Sequence, residues 1–495
     1  MSDVPRAPAA VASPIAAGTR VELEQGARLL DDRLVAGGAP WRVLALSGAS
    51  RDVVRRWACG DVVRLGEEAF ARTLVDRGLA LVRPVHDVNR DDVDVLIPVY
   101  DDVESLKALV DHLNGWCVTI IDDASHDPDA VADVARHAGA TVVRVDERQG
   151  PAAARNAGLA ATTREFVWFL DADLELDDPA SVLVRLGSHL GDPRVAAAAP
   201  RVRGGSGRRG RDRFERRFGA LDQGATSALV TPSGPVSFVP SACLLARRSA
   251  LGDGFDPTLR VGEDVDLVWR LGDGDWLVRY DADVTVVHPA RSTWRAWWAQ
   301  RDGYGRSAAA LATRHGSRLA PLRVDPWTAV TWAGVVTGRP LLGVRLLRTV
   351  RDAAAQRLAG RTAHPVRVAT TVVFGATARS GPALARAAVR TYGPWLGVAA
   401  LLARRRGRLL AVVALGVAWR WRRRRVDPRD VPIALLDDLA YALGVARGAL
   451  VTRSLEALTP RLVTSSLSWR DMLGLSASSN PNPNSNPNPN SNPNL

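Results

Sequence analysis

The sequence predicts an α/β fold whose core is a mostly parallel sheet with helices on both faces, and three observations carry that prediction. Between residues 93 and about 290, apolar runs alternate with segments of helical periodicity. Those runs are continuously apolar rather than apolar every second residue, as strands covered on both sides are. Acidic residues stand at the ends of four successive elements, and the ligands of such sheets gather at the carboxyl ends of strands.

The elements follow in chain order. Residues 1–18, MSDVPRAPAAVASPIAAG, place an acid and prolines where a signal peptide has a basic patch and an apolar core, and read as a flexible arm. Residues 19–90 form a small basic and apolar module. RLLDDRLVAGGAPWRVLAL reads as a hairpin turning at Gly37 and Gly38. SGASRDVVRRWA opens on a cap signal and sets Val53, Val54 and Trp57 at helical spacing; a second helix near EEAFARTLVDRG and a strand LALVRPV follow. This mixture suits a small winged-helix-like unit.

Residues 91–320 hold the α/β unit. Strand VDVLIPVY leads into DDVESLKALVDHLNG, where Val103, Leu106, Val110 and Leu113 share one helical face. CVTIIDD, a helix near PDAVADVARHAG, TVVRVDE, a helix from PAAARNAGLAATT and REFVWFLDAD complete the series. GGSGRRGRDRFERR (204–217) is a glycine and arginine loop placed where a lid sits.

Residues 321–470 are helical, basic and apolar. LLAVVALGVAW, WLGVAALLA and AVTWAGVVTG all fall short of the roughly 20 residues a bilayer-spanning helix needs. Two readings stay open: helices lying at a membrane surface with arginines reaching the headgroups, or a helical subdomain packed on the α/β unit. Residues 471–495, rich in Asn, Pro and Ser, cannot bury apolar surface and read as a disordered tail.

A formal charge of +12 favours anionic partners such as nucleotides, phospholipid headgroups or nucleic acid. A nucleic-acid-binding scaffold is disfavoured, because the carboxylates converge where a polyanion would be repelled. Cys59, Cys117 and Cys243 are far apart in the sequence and lack metal-ligand spacing, which suits reduced thiols in the cytoplasm.

The chemistry-bearing residues are strand-end acids and their neighbours. Tyr100, Asp101 and Asp102 follow the first strand of the α/β unit, and Asp122 and Asp123 the second. Asp123 can accept the imino hydrogen of a uracil ring, or it and Ser125 can cap the next helix. In RQGPAAARNAG, a helix N-terminus with Arg148 and Arg155 suits a pyrophosphate or a base carbonyl. Asp171 and Asp173 lie on one side of an extended segment and offer hard oxygens to Mg²⁺ or Mn²⁺, or else form a polar strand rim. Glu263 and Asp264 either stabilise a helix N-terminus or include a general base. His288 is a third metal ligand or a structural histidine. WRAWWAQRDGYG is an aromatic platform for an acceptor ring with Gln300 and Arg301 near a leaving phosphate, or a helix buried by Trp294 and Trp297.

The ordered set IPVYDD, IIDDASHD, RQGPAAARNAG, FLDADLEL, VGEDVDL and QRDGYGR, over about residues 93–306, resembles glycosyltransferase family 2 with its GT-A, Rossmann-like fold. The resemblance implies a nucleotide-sugar donor, a divalent metal (Mn²⁺ or Mg²⁺) and single-displacement transfer with inversion. It implies Asp123 at the base, Asp173 and Asp171 at the metal, and Asp264 as catalytic base. Donor contacts are implied for Pro98, Tyr100, Asp102, Asp123, Arg148, Arg155, Asp171, Ala172, Gln300 and Arg301.

The wider layout, with GAPWRVLALSG and LVDRGLALVRP ahead of the transferase, is similar to glycosyltransferases of the mycofactocin system. That implies glucose transfer from UDP-glucose to a premycofactocin, a redox cofactor made from a ribosomal peptide, building a β-linked oligosaccharide. The leading module is similar to small peptide-binding domains, which implies acceptor recognition. The alternative is a transferase at the inner face of the cell membrane, acting on a cell-envelope glycan or glycolipid. Two departures stand out: DDAS where many relatives have DDGS, and Q-R-D-G-Y where Q-x-x-R-W is usual.

Overall fold

A computed structural model describes residues 5–7, 14–31, 33–83, 88–205, 207, 210–232, 234–402 and 406–462. The Asn/Pro/Ser tail lies outside the described residues.

The leading module contains β1 (Arg20–Leu23), β2 (Arg28–Asp31), β3 (Leu34–Gly37), β4 (Arg42–Ala45), α1 (Gly48–Ala58), α2 (Glu68–Asp76) and β5 (Ala80–Arg83). Gly37 and Gly38 turn the chain between β3 and β4 as expected, but β2 adds a strand, making a three-stranded meander. Ser47 caps α1 by accepting from the Ser50 amide, and Val54 and Trp57 are buried beneath it. Two points of the supposedly free arm are pinned. Ala7 donates to the Gly274 carbonyl at 2.8 Å, Trp276 donates to the Pro5 carbonyl at 2.9 Å, and Ile15 is buried in the core.

The α/β unit runs β6 (Val93–Val99), α3 (Val103–Asp111), β7 (Cys117–Asp122), α4 (Pro128–Ala138), β8 (Thr141–Arg144), α5 (Pro151–Ala160), β9 (Phe166–Leu170), α6 (Pro179–Leu190) and β10 (Val195–Gly204). After it come α7 (Gly210–Phe218), β11 (Ala228–Leu229), β12 (Cys243–Arg247), α8 (Arg248–Leu251), α9 (Glu263–Asp273), β13 (Leu277–His288) and α10 (Trp294–His315). Its eight strands lie in the order β11-β13-β10-β12-β9-β6-β7-β8. The pairs β6–β7, β7–β8, β6–β9 and β10–β13 are parallel, while β12 and β11 run antiparallel to their neighbours. Strand order reverses at β6: β7 lies to one side and β9 to the other, which opens a crevice at their carboxyl ends.

Apolar cores cover both faces of the sheet. Val95, Ile97 and Trp168 belong to one, Leu96, Val167 and Phe169 to the other. Each such side chain taken fully from water contributes about 1.5–3 kcal/mol. The module is tied to this unit by buried charge: Arg72 donates to both oxygens of Asp192 at 2.9 and 3.0 Å, and Arg279 pairs with Glu24.

The C-terminal region is helical: α11 (Pro326–Val336), α12 (Pro340–Leu358), α13 (Pro365–Arg390), α14 (Gly393–Leu402), α15 (Arg406–Arg424) and α16 (Val431–Thr452). It packs on the rest of the chain. Leu347, Leu358 and Val372 share a core with Leu34 and Val43 of the meander, and Ala308 and Ala312 of α10 share one with Val445 of α16. Glycines set the α10–α16 spacing: a Cβ on Gly305 would meet the Tyr441 carbonyl oxygen at 2.2 Å, and one on Gly444 the Asp302 oxygen at 2.2 Å. Among the described residues, no helix is long and apolar enough to cross a membrane.

Much of the stretch expected as a lid loop is helix α7. Its Phe214 and Glu215 are buried, and Arg213 donates to Asp430 at 2.7 Å.

Candidate active site

The carboxyl ends of β6, β7 and β9 open into a cavity of about 940 Å³, lined on that side by Pro98, Tyr100, Asp102, Asp123, Arg148, Arg155, Asp171, Ala172 and Asp173. Of the two acids ending β7, Asp123 faces the cavity. It is buried and accepts from the Gln149 and Gly150 amides, both at 2.9 Å, which fixes the carboxylate while leaving lone pairs for a ligand. Asp122 points away, accepting from the Ser125 amide at 2.8 Å and pairing with Arg144. Asp101 likewise turns to the neighbouring loop, where it accepts from the His126 amide at 2.8 Å. Arg148 lies 3.7 Å from the centroid of the Tyr100 ring, so a cation covers one face of that ring.

Asp171, Asp173 and His288 offer ligand atoms all within 4.8 Å of one another. Sheet geometry brings them together: β9 delivers the two aspartates, β13 ends at His288, and Glu175 and Val287 exchange backbone hydrogen bonds of 2.8 and 3.3 Å between them. His288 Nε2 stands 3.2 Å from Asp173 and 3.7 Å from Asp171. Burial pushes the Asp173 carboxyl above its ordinary value, and His288 only partly offsets this. Burial would also raise Asp171, but Arg155 and His288 hold it well below the usual range. Two hard oxygens and one imidazole nitrogen on a single wall suit Mn²⁺ or Mg²⁺.

Arg155, buried on α5, donates to Asp171 at 2.7 Å and to Glu263 at 3.0 Å. Gly262 adopts φ +87, a conformation glycine tolerates, and turns the chain so that Glu263 and Asp264 open α9 inside the cavity. The two acids then differ. Glu263 is ion-paired, whereas among the described residues the Asp264 carboxylate accepts only from the Val265 amide, at 2.8 Å. Burial, followed by the Glu263 charge, pushes Asp264 up to about 7. A carboxyl with that pKa exchanges protons near neutral pH, as a general base requires.

Gln300 lines the cavity; Arg301 does not. Arg301 is buried behind the wall, where its guanidinium pairs with Glu215 and donates to Asp437 at 3.1 Å. The platform expected of Trp294 and Trp297 is also not at the cavity: Trp297 is buried and donates to Glu215 at 2.6 Å, while Trp294 is about half exposed. Tyr304, four residues after Gln300 and so on the same helical face, does line it. Sequence reasoning also missed Arg390, Asp437 and Tyr441, which reach the cavity from α13 and α16. Helical spacing from Gln300 pointed to Tyr304; no local signal marked the other three.

A mainly parallel sheet with a reversal at β6 and strand-end carboxylates around one crevice suit an α/β enzyme that handles a phosphorylated ligand, and comparison with known proteins makes it a sugar-transferring one. The profile described as Glycosyl transferase family 2 matches residues 94–255, and the chain belongs to that family. Over 471 residues, 90% of this chain and 98% of the other, it is 36% identical to the pre-mycofactocin glycosyltransferase of Mycobacterium tuberculosis. It is also 26% identical over 192 residues to the poly-beta-1,6-N-acetyl-D-glucosamine synthase of Staphylococcus epidermidis, covering 37% of this chain and 45% of that one. Among solved structures, the mannosyltransferase PcManGT from Pyrobaculum calidifontis, in complex with GDP-Man and Mn²⁺, aligns at a TM-score of 0.40 and 19% identity, covering 72% of this chain and 87% of that one.

Proposed function

We propose that this glycosyltransferase moves glucose from UDP-glucose to a peptide-derived acceptor of the premycofactocin kind, with inversion at the anomeric carbon. The observation that carries the reading is the pairing, in one cavity, of the Asp171–Asp173–His288 cluster with the half-buried Asp264, which has no salt-bridge partner among the described residues. Asp171, Asp173 and His288 would hold a divalent cation, which when bound neutralises the donor's diphosphate. Asp123 would accept the uracil imino hydrogen, with Tyr100 and Arg148 flanking the base. Arg155 forms salt bridges with Asp171 and Glu263, whereas Asp264 forms none among the described residues. Asp264 then takes the proton from an acceptor hydroxyl as its oxygen attacks the anomeric carbon, while the UDP oxygen leaves from the opposite face. One displacement turns an α-linked donor into a β-linked product.

The 36% identity to the pre-mycofactocin enzyme over nearly the whole chain supports this acceptor class over a cell-envelope glycan or glycolipid. The test is incubation of the full chain and Mn²⁺ with a panel of nucleotide sugars, offered peptide-derived and lipid acceptors side by side, with products read by mass. A hexose added from UDP-glucose to the peptide-derived acceptor is expected. Transfer to the lipid acceptor alone, or from another nucleotide sugar alone, overturns the assignment.

The C-terminal helices also carry exposed apolar side chains among arginines: Leu341 and Leu342 at the start of α12, Trp395 and Leu402 on α14, Leu415 on α15. This composition supports a place on the cytoplasmic membrane surface. Flotation with anionic lipid vesicles, lost on replacing Leu341, Trp395 and Leu402 by serine, is the expected result; no flotation of the wild-type chain overturns it.

A further inference from the structure

At about 940 Å³ the cavity stands at the upper end of the ~300–1,000 Å³ range that encloses one small-molecule ligand. Its two walls differ in chemistry. The wall at the ends of β6, β7 and β9 is made of carboxylates and arginines suited to a metal-bound diphosphate. From the helices α10, α13 and α16, Tyr304, Tyr441, Arg390 and Asp437 also line the cavity.

Those residues are held rigidly. Arg390 pairs with Asp437, donates to Asp438 at 3.2 Å and lies 4.2 Å from the centroid of the Tyr441 ring. Asp437 is also gripped by Arg301 of α10 at 3.1 Å. The glycine contacts between α10 and α16 bring the two helix backbones that carry Tyr304 and Tyr441 close together. The Arg390–Asp437 pair is neutral as a unit, and Arg386 of α13 lines the cavity beside it. The pair presents a fixed donor and a fixed acceptor, which match the hydroxyls of a ring compound. Aromatic side chains offer the flat apolar surfaces on which an aryl or pyranose ring rests.

We propose that the α13–α16 wall is the acceptor subsite: Tyr441 and Tyr304 pack against an aryl or pyranosyl ring, Arg390 and Asp437 bind its hydroxyls, and one hydroxyl is thereby presented to Asp264. The proposal rests on the transferase reading above and deepens it, making the C-terminal helices part of acceptor selection. Both tyrosines and the ion pair are specificity-determining residues, and the donor wall holds its ligand without them.

The test is direct binding to the full-length chain, with p-nitrophenyl β-D-glucopyranoside as acceptor probe and UDP with Mn²⁺ as donor probe. Tyr441→Ala is expected to weaken the aryl glucoside about tenfold and to change UDP affinity by less than about twofold. Tyr441→Phe, which keeps the ring, is expected to stay within about threefold of wild type for both. Equal weakening of both probes by alanine, no change in either, a phenylalanine loss as large as the alanine loss, or failure of the wild-type chain to bind the aryl glucoside overturns the proposal. Turnover of the wild-type chain decides the transferase reading separately.

Discussion

The two sides of the cavity proposed above as donor wall and acceptor wall are built in opposite ways. The donor wall takes single residues from the ends of β6, β7 and β9, each a few positions past an apolar strand, and the parallel sheet gathers them. The acceptor wall takes Tyr304 from α10, Arg390 from α13, and Asp437 and Tyr441 from α16, which meet only because helices from distant parts of the chain cross closely. A strand end carries its position in its own sequence, and a helix-crossing contact does not. Acids at strand ends can therefore be read along the chain, whereas side chains gathered by a helix crossing cannot.

The contrast can be broken at several points. Asp264→Asn removes the proposed base, and the transfer rate is expected to fall about 10²–10⁴-fold with UDP binding retained. Undiminished turnover in a radiolabelled-donor assay would remove Asp264 from its role. Stripping divalent metal with EDTA is expected to abolish transfer and to lower UDP affinity, with Mn²⁺ restoring both; the aryl glucoside, bound by the other wall, should be unaffected. Calorimetry on the stripped chain separates the two ligands.

The pH dependence follows from the raised Asp264. Below about 7 the carboxyl is protonated, so the transfer rate should climb roughly tenfold per pH unit up to that value and level off above it. The stability sign is the reverse. Folded Asp264 holds its proton to higher pH than the unfolded chain does, so its contribution falls as pH rises from about 4 through 7. Asp264→Asn should therefore stabilise the protein by ~1–3 kcal/mol at pH 8, and far less at pH 5, in urea titrations.

Gly444→Leu strikes the acceptor wall alone. Its side chain would enter the space of the Asp302 carbonyl, with an expected cost of about 1–3 kcal/mol and a larger loss of aryl glucoside than of UDP affinity. The smallest effect concerns Ala124, the residue that departs from the usual glycine of DDGS. It adopts φ +62, the left-handed region that costs a residue with a Cβ roughly 1–2 kcal/mol. Ala124→Gly should recover about 1 kcal/mol in the same urea titration, because it relieves the strain while loosening the unfolded chain.

Taken by itself, the sequence determined the α/β class, the alternation of strands and helices from Val93 to Leu170, and the acids at the strand ends. Burial on both faces writes continuous apolar runs, and a parallel sheet turns strand-end positions into neighbours. What only the tertiary structure decided is which polar group faces the cavity. Asp123 lines it and Asp122 does not; Gln300 lines it and Arg301 is turned into a buried network with Glu215 and Asp437. Glu263 and Asp264 read alike along the chain, yet Arg155 pairs with one and leaves the other to rise to about 7. Those outcomes depend on which distant side chain arrives to compensate a buried charge, and that information lies in packing across the fold rather than in any local run of residues.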